Sequence, residues 1–185
     1  LLALRQPVGE AAYRRLVAER ANLVVASERA LARAQGPTAA RCALAVWAIA
    51  EVQGPLSMGI DALRAALPLA GAEAGRVHQA LGLAHLQTGR PDQAREHFLA
   101  ARDHATQAGD RSGRAQADAG LVRVQRRVGP PPNPARLAPV LATHRDLGER
   151  HLEADTLVLL GQTKRSKSQM VEAVDHVQEA ITIYR

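Results

Sequence analysis

The sequence predicts an all-α protein assembled from stacked helical hairpins, and three observations carry that prediction. The first is composition: 46% of the 185 residues are apolar, yet only four are aromatic (Tyr13, Trp47, Phe98 and Tyr184). Ala and Leu dominate, β-branched runs are few and strict apolar–polar alternation is almost absent, which favours helix over strand. The second is punctuation, because helix signals come in pairs separated by Gly or Pro. The third is periodicity. Gly54, Gly89 and Gly129 each close the first helix of a pair, and Ser168 holds the equivalent place. "QAGDR" at 107–111 and "DLGER" at 146–150 each end a pair. A two-helix unit recurring at about 35 to 40 residues describes a solenoid, in which each hairpin buries its apolar stripe on its neighbours.

The elements follow in order. A first helix is expected over 9–19 and a second over 21–35, ended by Gly36-Pro37. A third, over 38–53, stops at Gly54-Pro55, and a fourth covers 56–69. Then come 73–88, 91–108, 112–128, 134–147, 151–165 and 168–184, about ten helices with short links and no strand. Within residues 81–101 the small residues Gly82, Ala94 and Ala101 permit close helix approach, and Leu81, Leu86 and Phe98 fill the space between hairpins. Pro131, Pro132 and Pro134 suit a rigid turn or a first helical position. Pro139 lies further in, where a regular helix would lose about 3 kcal/mol, so the helix there is expected to be short, kinked or displaced.

This pattern resembles the tetratricopeptide repeat. Residues 75–108 match through Leu81-Gly82, Gly89, Ala94, Phe98 and Ala101, and residues 154–185 match less fully through Leu160-Gly161, Ala173, Val177 and Ala180. Residues 40–70 match through Gly54, Gly59, Leu63 and Ala66. The unit at 115–150 departs most, with Val122 at the small-residue position and "GPPPNPARLAP" where a second helix should begin. The resemblance implies a right-handed α-solenoid forming a single domain over 1–185. Its repeats would be 38–70, 73–108, 112–147 and 151–185, with 9–35 as a capping or junction hairpin. A narrower resemblance rests on "AERANLVVASERALARA" at 18–34, "AVWAIAEVQG" at 45–54, the spaced "GDR" and "GER", and "ITIYR" at 181–185. These are similar to the helical C-terminal region of large actinobacterial transcription regulators of the antibiotic-regulatory type, in which an NTPase module precedes tetratricopeptide repeats. That likeness implies a regulatory module, with the NTPase and DNA-reading elements elsewhere in the parent protein.

The search for chemistry narrows the function classes. There is no G-x-x-x-x-G-K-[ST] loop, no G-x-G-x-x-G after a strand and no G-x-S-x-G elbow. The single Cys42, inside "RCALAVW", excludes an internal disulfide and a cysteine-built zinc site, and reads as a small core residue. His78 and His85 are seven residues apart, as are His97 and His104; about 10.5 Å of helix separates each pair, too far for one metal ion. Glu19, Glu28, Glu73, Glu96, Asp103 and Asp118 read as solvated charges on helical polar faces. No catalytic residue, metal site or cofactor is expected, and the protein is expected not to be an enzyme.

The formal net charge is +6, and of 24 basic residues only Lys164 and Lys167 are lysine. A basic surface favours acidic partners. Direct nucleic-acid binding is not favoured, since four scattered aromatics cannot build a stacking platform and no helix-turn-helix is recognisable. No apolar run of 18 residues is present, and the opening LLALRQPVGE is too short and wrongly flanked for a secretory signal. Lacking an initiator Met and stopping on an apolar helical stretch, the chain is expected to be a piece of a larger cytoplasmic protein.

Within a tetratricopeptide solenoid the first helix of each hairpin lines the concave face. Carried over by position, the inward residues are Arg76, Gln79 and Gln87, then Gln116, Arg123, Arg126 and Arg127, then Asp155, Gln162 and Arg165. Arg123, Arg126 and Arg127 stand at i, i+3 and i+4, so they share one helix face. With Arg76 and Arg165 they would form a basic groove for an acidic peptide segment or an anionic small-molecule effector. An arginine-rich helix face is usually a solvated one, and "RVQRRVG" reads as solvated surface ahead of a binding site. The expected partners are a protein or peptide, including an upstream module of the same chain, or a second copy; a plain assembly scaffold and a metabolite sensor remain alternatives on the same fold.

Overall fold

A computed structural model gives the architecture and describes residues 7–185; LLALRQ, which opens the sequence, lies outside the described residues. The described chain is all-helical, with ten α-helices and no strand. They are α1 (Pro7–Ala18), α2 (Arg20–Ala32), α3 (Gly36–Gln53), α4 (Leu56–Ala66), α5 (Ala74–Gln87), α6 (Pro91–Gln107), α7 (Arg111–Val128), α8 (Ala138–Asp146), α9 (Arg150–Arg165) and α10 (Met170–Tyr184). Two of these differ from expectation, and proline explains both. The fourth helix ends at Ala66 and continues as 3-10 turns over Leu67–Leu69 and Gly71–Glu73, because Pro68 has no N–H for the carbonyl one turn back. The eighth begins only at Ala138, after a 3-10 turn over Pro134–Leu137. Pro139 therefore falls in the first turn of α8, where its missing N–H costs nothing.

The turns repeat at the atomic level. Gln35, Asp110, Glu149 and Gln169 each donate a backbone N–H to the carbonyl five residues back, on Ala30, Ala105, His144 and Lys164. The residue before each donor is left-handed: Ala34 (φ 52°), Gly109 (66°), Gly148 (67°) and Ser168 (61°). This is the Schellman closure of a helix end. Ser168 thus takes the left-handed conformation that Gly89 (φ 71°) takes after α5. Gly129 does not: its φ is −131° and the chain runs on extended into the prolines.

Cα packing divides the chain into two compact units, 1–88 and 89–185, with the division inside the "TGRP" turn. In the first unit α3 packs on α2, α4 and α5. Its core gathers Ala39, Ala40, Ala43, Trp47, Leu63, Val77 and Leu81. Close approach there depends on glycine: a Cβ on Gly36 would lie 1.6 Å from the Leu69 carbonyl oxygen, and one on Gly59 2.9 Å from the Trp47 ring. In the second unit α6 packs on α7 and α9 on α10 along much of their length, while the shorter α8 bridges α7 and α9. The core there joins Val122, Leu137, Val140, Leu157, Leu159 and Leu160. Val122, read from the repeat pattern as a large residue at a small-residue position, is buried. The close approach in this repeat moves to Gly120, whose added Cβ would lie 2.4 Å from the Phe98 ring.

Candidate functional site

The site is built by α7 and α9 in the second unit. The Asp110 carboxylate caps α7 by accepting from the Gly113 N–H at 2.9 Å, and α7 then runs unbroken to Val128. Its last two turns carry Arg123, Arg126 and Arg127 on one face. α9 packs on α7 and presents Gln162 and Arg165, at i and i+3, to the same place. Arg126 Nη1 donates to Gln162 Oε1 at 2.6 Å. Five of the expected groove residues are therefore brought together.

The electrostatics of this cluster are one-sided. Burial lowers the affinity of Arg126 for its proton, and the charges of Arg123, Arg165 and Arg127 lower it further. Each of those influences opposes the charge on Arg126, and none comes from a carboxylate. Among the described residues no Asp or Glu forms an ion pair with Arg123, Arg126, Arg127 or Arg165. The guanidinium remains cationic at neutral pH, because arginine starts from so high a value. Arg123 and Arg126 are half-buried and Arg127 and Arg165 exposed; such a mutually repelling group has unused capacity for bidentate pairing with carboxylates or phosphates.

The other expected residues have different surroundings. Gln116 lies two turns before Arg123 on α7, where its Nε2 donates to Ser112 Oγ at 3.1 Å. Asp155 accepts from Tyr184 Oη at 2.6 Å, so it ties α9 to α10. Arg76, Gln79 and Gln87 belong to α5 in the first unit. Arg76 Nη1 donates to Glu73 Oε2 at 2.9 Å, and Gln87 Nε2 donates to Glu51 Oε1 on α3 at 2.9 Å. Both are engaged within their own unit.

Glu73 corrects the expectation of a solvated carboxylate. It is buried, and Arg41 Nε from α3 meets its other oxygen at 2.8 Å. The Arg41 hydrogen bond, opposed by burial and aided by Arg76, holds its carboxyl below the usual range. Glu153 is clamped the same way, by Arg145 at 2.9 Å and Arg150 at 2.6 Å. Two histidines, His85 and His144, are buried, and His144 Nδ1 lies 2.9 Å from Glu149 Oε2. Among the described residues no group of three His, Cys, Asp or Glu side chains is placed to hold a metal ion, and no helix is long and apolar enough to cross a membrane.

Two concavities in the second unit escape the sequence reading. One, of about 370 Å³, lies where Asp92, Arg95, Leu99 and Arg102 of α6 face Val124 and Gln125 of α7, closed by Arg136. Arg136 Nη1 donates to Gln125 Oε1 at 2.7 Å. The other, of about 230 Å³, lies between α9 and α10 and is lined by Gln162, Arg165, Met170, Val174 and Val177 among others. Neither follows from the concave-face register, because both use residues of second helices.

No protein-family model matches the sequence, and no curated protein matches it. Among solved structures the chain is similar to the crystal structure of BtubC (BKLC) from P. vanneervenii, at 16% identity and a TM-score of 0.49, covering 93% of this chain and 91% of that one.

Proposed function

We propose that the protein is a non-catalytic binding module of the tetratricopeptide type, a right-handed solenoid whose arginine cluster holds an acidic segment of a partner. The observation that carries this reading is the group Arg123, Arg126, Arg127 and Arg165, gathered on α7 and α9 without a carboxylate of their own and steadied by Gln162. Repeat geometry supports the solenoid part. Glu51–Gln87 and Arg126–Gln162 both join one first helix to the next across 36 residues. A regulatory role inside a transcription regulator rests on the likeness at 18–34 and 45–54. In that setting a bound segment would act by favouring one arrangement of the parent protein over another.

The test is fluorescence anisotropy with a labelled extended peptide of eight glutamates, and with its serine counterpart as control. The wild-type chain should bind the acidic peptide, and affinity should fall steeply with added salt. Arg123→Glu/Arg126→Glu/Arg127→Glu should weaken it at least thirtyfold with helical content unchanged by circular dichroism. Equal affinity of both proteins would remove the basic-groove reading.

One observation favours a second reading, a sensor for an anionic metabolite. The concavity edged by Arg95, Arg102 and Arg136 is about 370 Å³, within the range of small-molecule pockets. Citrate and inorganic phosphate, added in a thermal-shift titration, should then stabilise the wild type and not Arg95→Gln/Arg136→Gln.

A further inference from the structure

α10 is apolar on a face that its own unit leaves open. Ala173 and Ala180 are buried, but Met170, Val171, Val174, Val177 and Ile181 are 56%, 77%, 61%, 37% and 37% exposed. Residues 170, 174, 177 and 181 form one helical stripe. The stripe borders the groove whose other wall is Gly161, Gln162 and Arg165 of α9.

The second unit also shows what such a face accepts. α6 carries Ala94, Phe98 and Ala101 in the register in which α10 carries Ala173, Val177 and Ala180, and all four alanines are buried. On α6 the large residue of that trio, Phe98, is fully buried, and α7 covers it by laying Gly120 against the ring. On α10 Val177 packs against Gly161 on one side only. The neighbouring positions differ in kind. Asp92, Arg95 and Arg102 of α6 put charges at the edge of a cavity; in the shared register α10 has Val171, Val174 and Ile181. Water favours the charged set, whereas a docked helix favours the aliphatic one.

The rim selects the occupant. Arg165 edges the groove, and Gln162 beside it is bonded to Arg126 of the unneutralised cluster. Arg165 is the charge on this rim, and a helix with carboxylates along one edge would be drawn to it. We propose that the α9–α10 face docks an amphipathic α-helix of a partner protein. That helix sets Gly or Ala over Val177 and apolar residues over Met170 and Val174, with Glu or Asp along the edge facing Arg165 and Arg126. Its preference for acidic flanks rests on the arginine reading above; the apolar docking does not.

Three labelled 18-residue peptides test it against the whole 185-residue chain by anisotropy: an Ala/Leu stripe with glutamate flanks, the same stripe with lysine flanks, and a scramble of the first. The glutamate-flanked helix should bind, and the other two at least tenfold more weakly. Val171→Ser/Val174→Ser, at exposed positions that leave the fold intact, should weaken it at least tenfold. The same variant should bind the extended octaglutamate as wild type does, so failure here is separable from failure of the arginine groove. Equal binding of ordered and scrambled peptides, or indifference to the valine substitutions, overturns the proposal. Sedimentation showing a wild-type dimer that the same substitutions dissociate overturns it in favour of a second copy.

Discussion

At the scale of single residues, partners distant in sequence decide what a charge does. Arg76 is legible from the sequence as a residue on a helix face, but Glu73 is bound by Arg41, 32 positions earlier, and no local pattern announces that pairing. Both arginines are largely exposed, so the charge contribution is screened and modest; removing the buried acceptor leaves about 1–2 kcal/mol to lose. Because the folded carboxyl sits below its unfolded value of 4.5, its contribution is full above that pH and is lost as pH falls through the folded value. Urea denaturation of Glu73→Gln should therefore show destabilisation at pH 7 that shrinks as the pH falls below 4.5; a gap independent of pH would deny the ion pair. The turn residues are more legible. Spacing alone puts Ser168 in a glycine's place, and its φ of 61° agrees. Ser168→Gly should stabilise by about 0.5–1 kcal/mol by relieving left-handed strain. Gly129→Ala, at a φ of −131°, should be nearly neutral, although spacing had placed both residues in one class.

At the scale of elements, the helices were read within a few residues because proline and glycine act locally, whereas the contacts that set helix spacing were only partly visible. The sequence marks Phe98 as the large knob and Val122 as a misplaced large residue. It does not reveal that Gly120, two positions earlier and about 200° round α7, takes the ring. A methyl group there would sit 2.4 Å from a fully buried side chain, so Gly120→Ala should cost about 1–3 kcal/mol by overpacking. Phe98→Leu in the same chain should restore part of the loss. Additive losses in thermal unfolding of the double variant would mean the two residues do not share that space. The α8 segment shows the reverse lesson. Its prolines forecast a disturbed helix, and the disturbance proves to be a delayed start, with Pro139 moved into the one turn that tolerates it.

At the scale of the whole molecule, five of the candidate groove residues converge because α9 packs on α7, a neighbourhood that the spacing of the helix pairs leads one to expect. The Gln162 bond to Arg126, the grooves on α6 and α10 and the division at Thr88 depend on packing that periodicity does not encode. The same logic makes the repeat reading testable as a statement about cooperativity. In a solenoid each hairpin is held by its neighbours, so a core defect propagates over a limited distance. Leu63 is fully buried in the first unit and Leu157 in the second; truncating either to Ala costs about 2–5 kcal/mol. Hydrogen exchange on Leu63→Ala should show protection lost chiefly over α3 to α5, with α9 amides close to wild type, and Leu157→Ala should show the converse. Equal loss in both units would make the chain one cooperative block, and the array of nearest-neighbour repeats on which the groove was placed would have to be given up.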